Sequence, residues 1–185
     1  IKHVASLITG RGQNIVVLSA MSGTTNTLVE IAGYLRRHNI NGAKDIINTL
    51  EKKYCQTIAL LFSTVDYRME ADEEIRGIFS HIRGLCRERF DEDDEKEILA
   101  QGEMMSTTLM YLYLHEQGVN AAFLPALDYM RTDVNSEADN EYIHDRLMAL
   151  LDENPCAELY ITQGYICRNN LGKVDNLQRG GSDLT

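Results

Sequence analysis

The sequence predicts an α/β fold in which helices cover a mainly parallel β-sheet. Three short apolar runs have the composition of strands and alternate with stretches of helical periodicity; they span residues 15–19, 121–124 and 157–162. The first run, Ile-Val-Val-Leu-Ser, contains no polar alternation, which is typical of a strand buried on both faces. Strands that alternate with helices in this way form parallel α/β sheets.

Length and composition indicate one globular domain and exclude several classes of function. The chain has 185 residues, 44% of them apolar and 25% charged, which is ordinary for a single domain. Its net charge of −10 argues against sequence-independent binding to nucleic acid, which needs a basic surface. No apolar run approaches the ~20 residues of a membrane span, and no signal peptide opens the sequence.

The cysteines and the first residues give two further expectations. Four cysteines are widely spaced and never form Cys-x-x-Cys, so we expect reduced thiols and a cytoplasmic protein rather than disulfides or a metal site. The five histidines are also scattered and show no metal-ligand spacing. Because Ile1 is not a natural start and a helix is expected at residues 2–8, we interpret the chain as a fragment.

The first strand leads into a small polar turn and then a helix. We expect Thr25 or Asn26 to cap this helix, whose apolar face has helical spacing at Leu28, Ile31, Ala32 and Leu35. A strand, a turn of small residues and a helix together form a βα unit. The turn should therefore lie at the carboxyl end of the strand.

The middle of the chain is predicted to be helical. Residues 41–88 contain no proline and read as consecutive helices with a break near residues 63–69. We expect residues 41–95 to form a helical elaboration on one edge of the domain. A long helix should begin at the acidic run of residues 91–97, where the charges favour a helix start, and end at Gly118; one of its faces carries Gly102, Met105, Ser106, Leu109 and Tyr113.

The last third predicts a helix at residues 141–151 and a β-hairpin at residues 165–177, with its turn at residues 169–172. In parallel α/β sheets, ligands bind outside the carboxyl ends of the strands. Small and polar residues cluster after all three predicted strands, at residues 19–25, 125–133 and 163–164. We therefore expect a binding site at this edge of the sheet.

Three segments are candidates for that site, and each has an ordinary structural alternative. The turn before the second helix offers backbone N–H groups to an anion, but alone it is more simply a capped turn. Glu103, beside the small residue Gly102, has the charge to bind an ammonium group, or is a surface glutamate. Arg179 has the geometry to grip a carboxylate or phosphate, beside glycines that admit close approach and a donor and an acceptor; these are Gly180, Gly181, Ser182 and Asp183. The alternative there is a glycine-rich loop with a surface ion pair.

Four motifs in order resemble the aspartate kinases of the amino acid kinase superfamily. They are VVLSAMSGTTNTL at residues 16–28, QGEMMSTTLM at 101–110, ITQGYI at 161–166 and LQRGGSDLT at 177–185, and the RTD of residues 131–133 also fits. The resemblance spans nearly the whole chain. It implies a three-layer αβα sandwich like that of carbamate kinase, with residues 1–185 forming part of the catalytic domain.

The resemblance also implies an activity and a set of site residues. The reaction would be ATP-dependent phosphorylation of the L-aspartate side chain, with ATP and Mg²⁺ bound by the complete enzyme, as the first step toward lysine, threonine, methionine and isoleucine. The positions that match the family's aspartate-binding residues are Thr25, Glu103, Arg179, Gly180, Gly181, Ser182 and Asp183. Ser19 and Gly23 would contact the transferring phosphoryl group. The family also implies a homo-oligomer, at least a dimer.

The sequence departs from the family pattern in several places. Aspartate kinases open with Lys-Phe-Gly-Gly-Thr-Ser, which holds the ATP phosphates, and this segment is not among the 185 residues. Neither are the ATP-binding half nor the regulatory ACT domains. Gln178 stands where the family has glycine, and residues 174–176 stand where threonines are common. We therefore expect these residues alone to have no appreciable kinase activity.

Two other functions remain alternatives at this stage. One is a different kinase of the same superfamily, acting on acetylglutamate, glutamate or a nucleoside monophosphate, although those enzymes generally lack this pair of motifs. The other is a regulatory protein that binds an amino acid without catalysis.

Overall fold

The computed structural model describes residues 1–177, and within them the chain forms seven helices and five strands. In chain order these are α1 Lys2–Ile8, β1 Asn14–Leu18, α2 Thr24–Arg36, α3 Ile40–Leu61, α4 Val65–Gly84, α5 Glu92–Glu116, β2 Ala121–Leu124, α6 Ala126–Tyr129, α7 Asn140–Glu153, β3 Leu159–Gln163, β4 Ile166–Arg168 and β5 Val174–Asn176. The site residues predicted at 179–183 lie outside the described residues.

The three predicted strands form one parallel sheet in the order β1-β3-β2. Ile161 of the central strand pairs with Val16 on one side and with Phe123 on the other. All five residues of β3 are buried. Parallel strands joined by helices confirm the predicted α/β fold.

Helices cover both faces of this sheet. The side chains of β3 alternate between two apolar clusters, one on each face. Leu159 and Ile161 pack with residues of α1 and α5. Tyr160, which lies between them, packs with residues of α6 and α7. This arrangement of helix, sheet and helix layers is the sandwich that the resemblance implied.

The prediction that the first strand is buried on both faces is wrong for the structure described. Strand β1 lies at one edge of the three-stranded sheet, where only β3 pairs with it. Its residues are exposed or half-buried, and 44% of the Ile15 surface is exposed. An unbroken apolar run predicts a strand, but it does not predict whether that strand lies in the centre or at the edge of the sheet.

Helices α2, α3, α4 and α5 share the largest apolar cluster. Tyr54 of α3 and Phe79 of α4 are fully buried there, and their rings meet edge to face with centroids 5.8 Å apart. The helices predicted between residues 41 and 88 are present as α3 and α4, with the break at residues 62–64. The short helix α6, which begins directly after Pro125, was not predicted.

The ends of the elements follow local chemistry. Helix α5 begins inside the acidic run with a capping box between Asp91 and Asp94, as the charges predicted. The predicted caps of α2 at Thr25 and Asn26 are wrong, because the helix begins at Thr24 and its cap position is Gly23. The predicted hairpin is confirmed: β4 and β5 pair antiparallel, and the carboxamide oxygen of Asn169 accepts from the backbone N–H groups of Leu171 and Lys173.

Within residues 1–177, no helix is both long enough and apolar enough to cross a lipid bilayer.

Candidate functional site

The candidate site lies at the carboxyl ends of β1 and β3, next to the middle of helix α5. The backbone N–H of Gly164, just after β3, donates to the carbonyl of Leu18 at 2.9 Å and joins the two strand ends. We call residues 19–23, between β1 and α2, the β1–α2 turn. Its last residue, Gly23, has a φ of 79°, a left-handed conformation that favours glycine.

Helix α5 approaches this turn closely because residue 102 is glycine. A Cβ atom placed on Gly102 would lie 2.9 Å from the Cβ of Ala20 and 3.2 Å from Cδ1 of Leu28. Both distances are shorter than ordinary carbon–carbon contacts. The missing side chain therefore lets the next residue, Glu103, reach the turn.

The Glu103 carboxylate is buried and only half satisfied. Its Oε1 accepts a hydrogen bond from the backbone N–H of Ala20 at 3.1 Å, whereas Oε2 has no hydrogen-bond partner among residues 1–177. Only 3% of the residue is exposed. This burial raises the pKa of the carboxyl to about 7, although the Ala20 hydrogen bond acts in the opposite direction. A buried carboxylate with a free oxygen suits a cationic ligand.

The hydroxyl groups that follow Glu103 fix the backbone around it. The Ser106 hydroxyl lies 2.8 Å from the carbonyl oxygen of Ser19 and 3.0 Å from that of Glu103. The Thr107 hydroxyl donates to the same Glu103 carbonyl at 2.8 Å. These bonds hold α5 against the turn in the position that Gly102 permits.

Gln163 connects α5 to the rest of the sheet edge. Its side-chain N–H donates to the Thr107 hydroxyl at 3.1 Å, and its carbonyl oxygen accepts from the backbone N–H of Ala126 at 2.8 Å. The second and third sequence motifs therefore meet through one buried side chain. The sequence predicted that residues 163–164 lie at this edge but did not predict their bond to the second motif.

The other predicted residues of the turn lie in the same region. Thr25 is exposed on the first turn of α2, one residue after the buried Thr24. The methyl of Thr24 lies 3.6 Å from the position of a Cβ on Gly102. Because Gly23 provides no side-chain cap, backbone N–H groups at the positive end of α2 are available to an anion.

The hairpin anchors the chain that leads to the fourth motif. The N–H of Leu177, the last described residue, donates to the carbonyl of Tyr165 at 2.7 Å. Burial raises the pKa of the Tyr165 hydroxyl, and the negative charge of Glu103 adds to this shift. Residues 179–183, predicted to bind the substrate, lie outside the described residues.

Residues 1–177 contain no group of three or more histidine, cysteine, aspartate or glutamate side chains placed to hold a metal ion.

The parallel sheet, the glycine-capped helix and the buried carboxylate define an α/β domain with a candidate binding site at its strand ends. The amino acid kinase family matches residues 1–185. The chain belongs to this family.

Two curated relatives are aspartokinases of Escherichia coli strain K12. The chain is 29% identical over 177 residues to bifunctional aspartokinase/homoserine dehydrogenase 2, covering 93% of this chain and 21% of that protein. It is 31% identical over 181 residues to lysine-sensitive aspartokinase 3, covering 92% of this chain and 38% of that protein. The chain thus spans well under half the length of these relatives.

Solved structures of aspartokinases share the fold. Escherichia coli aspartokinase III in complex with aspartate and ADP superposes with a TM-score of 0.70 at 26% identity, over 98% of this chain and 41% of that one. The complex of the same enzyme with lysine and aspartate gives 0.73 at 28% identity, over 100% and 41%. Clostridium acetobutylicum aspartate kinase gives 0.71 at 16% identity, over 99% and 39%, which is a likeness of fold alone.

Proposed function

We propose that this chain is the aspartate-binding part of an aspartokinase, which transfers the γ-phosphoryl group of ATP to the side-chain carboxylate of L-aspartate. The observation that carries the proposal is the buried Glu103 carboxylate with one unpartnered oxygen beside the β1–α2 turn. The aspartokinase relatives and the aspartate-bound aspartokinase III structures support it. The product, an acyl phosphate, would serve the synthesis of lysine, threonine, methionine and isoleucine.

In this proposal, Glu103 selects an amino acid by its ammonium group. A positive charge next to Oε2 replaces the solvation that the carboxylate lost on burial and lowers its pKa from about 7. Arg179 pairs with the α-carboxylate, and Gly180, Gly181, Ser182 and Asp183 complete that end of the site. With both ends of the amino acid held, its side-chain carboxylate points toward the β1–α2 turn.

Catalysis then depends on position and charge rather than on a nucleophile from the protein. An oxygen of the aspartate side chain attacks the γ-phosphorus of ATP, the bond from that phosphorus to the bridging oxygen breaks, and ADP leaves. Thr25, Ser19 and the N–H groups around Gly23 orient the attacking carboxylate and the transferring group. The positive end of α2 partly neutralises their charge.

The proposal includes ATP, Mg²⁺ and an oligomer of at least two subunits in the cytoplasm. Because residues 1–177 offer no cluster of three metal-binding side chains, Mg²⁺ would take most of its ligands from nucleotide oxygens and water. The 185 residues by themselves are expected to lack kinase activity. Activity must therefore be measured in the complete protein that contains them.

The test is a substrate panel on that complete protein. Aspartate, glutamate, N-acetylglutamate and uridine monophosphate are each incubated with ATP and Mg²⁺, and ADP release is measured together with trapping of the acyl phosphate by hydroxylamine. Turnover with aspartate and with none of the other three acceptors supports the proposal. Preference for another acceptor contradicts it, and calorimetric binding of aspartate without any turnover would favour a regulatory protein.

The Glu103→Gln variant tests the site itself. Gln keeps an acceptor for the Ala20 N–H but removes the charge, so the KM for aspartate should rise about tenfold or more, the value of a hydrogen bond between charged groups. Glu97→Gln is the matched control on the same helix, where Glu97 forms a half-exposed pair with His81. An unchanged KM in Glu103→Gln would remove Glu103 from the site.

A further inference from the structure

Two consecutive residues of helix α3 contact the β1–α2 turn and the first residue of α2. The Lys53 ammonium donates to the carbonyl oxygen of Ser22 at 3.1 Å. The hydroxyl of Tyr54 and that of Thr24 share a hydrogen bond of 3.1 Å. Ser22 and Thr24 flank Gly23, so α3 holds the turn on both sides of its left-handed glycine.

Tyr54 is a rigid anchor for this contact. It is fully buried, and its ring packs edge to face on Phe79 of α4. Burial raises the pKa of its hydroxyl to about 12, the Thr24 hydrogen bond acts in the opposite direction, and the Glu103 charge raises it further. The hydroxyl is therefore protonated at neutral pH.

Thr24 connects Tyr54 to helix α5 at the candidate site. It is fully buried between Tyr54 and helix α5, with its methyl group 3.6 Å from the Cβ position on Gly102. The Lys53 ammonium also lies 3.9 Å from the Cβ position on Gly23. Since glycine adopts many backbone conformations at little cost, fixing both of its neighbours selects one of them.

We propose that Lys53 and Tyr54 are positioning residues of the aspartate site, which hold the β1–α2 turn so that Thr25 and the first N–H groups of α2 face the substrate. The inference rests on the proposed function. It assigns a role to helix α3, whose sequence gave no functional signal because both residues fit an ordinary amphipathic helix.

The first experiment measures steady-state kinetics of Tyr54→Phe and Lys53→Met in the complete protein. Tyr54→Phe keeps the ring packing and removes one hydrogen bond. We expect a rise of about fivefold in the KM for aspartate, which corresponds to one net hydrogen bond, with kcat within a factor of two. Lys53→Met should raise this KM about twofold to fivefold, and Lys53→Arg should restore it in part.

Two matched controls separate positioning from stability. Tyr160→Phe removes another buried hydroxyl, which donates to the Asn154 carbonyl at 2.6 Å near the opposite end of the sheet. Lys52→Met removes an exposed charge next to Lys53. Both should leave the KM for aspartate unchanged. If Tyr54→Phe lowers the melting temperature but leaves this KM equal to that of Tyr160→Phe, the role is structural and the inference is wrong.

A second measurement does not depend on the substrate. Amide hydrogen exchange of residues 19–26 should be faster in Tyr54→Phe and Lys53→Met than in the two controls, because the turn has lost an anchor. Unchanged exchange would overturn the inference even if the complete protein proves to phosphorylate something else. Absence of aspartate kinase activity in the wild-type protein, with faster exchange in the variants, would instead overturn the proposed function alone.

Discussion

At the scale of single residues, the proposed ligand of the substrate ammonium group, Glu103, carries a cost in stability. Its carboxyl has a pKa of about 7 in the folded chain, against 4.5 for an ordinary glutamate. The folded state therefore holds a proton that the unfolded state releases between these two values. The contribution of Glu103 to the free energy of unfolding therefore falls as the pH rises from about 4.5 to 7, and it stays low above pH 7.

Glu103→Gln should reverse this loss because glutamine does not titrate. The pKa difference corresponds to about 3 kcal/mol, so the free energy of unfolding of the variant, relative to wild type, should increase by roughly that amount between pH 4 and pH 8. Urea unfolding at several pH values measures it, with Glu97→Gln as the control. A difference between variant and wild type that does not change with pH would show that Glu103 has an ordinary pKa.

Gly102 is the second residue whose role can be measured alone. Gly102→Ala places a methyl group 2.9 Å from the Cβ of Ala20, so the turn must move away from α5. We expect a loss of about 1–3 kcal/mol of stability from overpacking and weaker aspartate binding. Gly77→Ala in α4, where a Cβ would meet nothing within 4 Å, should instead stabilise by up to about 1 kcal/mol through helix propensity. Equal effects of the two variants in urea unfolding would contradict the close approach.

At the scale of elements, Glu116 near the end of α5 holds the connection between α3 and α4. Its Oε1 accepts from the N–H groups of Ser63 and Thr64, each at 2.8 Å, and from the Thr64 hydroxyl at 2.9 Å. Partial burial raises the pKa of this carboxyl, but the hydrogen bonds outweigh it and leave the pKa below its ordinary value. These hydrogen bonds are therefore fully present at neutral pH and are lost as the pH falls through that lowered pKa.

Glu116→Ala should destabilise the protein by about 1 kcal/mol, the net value of a hydrogen bond. The difference from wild type should shrink under acid conditions, where the wild-type carboxyl is protonated. Thermal unfolding at neutral and acid pH tests both statements. The exposed Glu73 of α4 provides the control as Glu73→Ala, and an equal loss in both variants would indicate a general charge effect rather than the loss of these hydrogen bonds.

The elements show which parts of the fold the sequence could predict. The acidic start of α5, the hairpin turn at Asn169 and the three strands follow from local chemistry, and all are present. The edge position of β1 and the start of α2 at Thr24 depend on neighbours distant in sequence, so local patterns missed them.

The candidate site likewise contains features that the sequence predicted and features that it did not. Glu103 was predicted from its motif and from the small residues around it on the helix, and the structure adds its bond to Ala20. The contacts of Tyr54 and Lys53 with Thr24 and Ser22 were not predicted, because these partners lie 30 and 31 residues away and nothing nearby in sequence marks them. The roles of Ser19, Gly23, Thr25, Glu103 and residues 179–183 remain predictions.

At the scale of the whole molecule, α5 is the element that joins the helical layer to the sheet. Its residues contribute to all three apolar clusters. Glu103 and Thr107, on the same helix, bond to Ala20 and to Gln163, which follow or end different strands. The candidate site therefore lies where the helical layer meets the sheet, and its geometry depends on their connection.

Gln163→Leu tests this connection, because Gln163 is fully buried and links α5 to the N–H of Ala126. Leucine is of similar size but leaves that N–H without its partner, so we expect a loss of about 1–3 kcal/mol in urea unfolding together with weaker aspartate binding in the complete protein. Gln13→Leu is the matched control: Gln13 donates to the Ala157 carbonyl at 3.1 Å, near the opposite end of the sheet. Because that hydrogen bond is partly exposed, Gln13→Leu should lose less stability than Gln163→Leu and should leave aspartate binding unchanged. If both variants weaken aspartate binding equally, the site depends on the stability of the whole sheet rather than on the bond between Gln163 and α5.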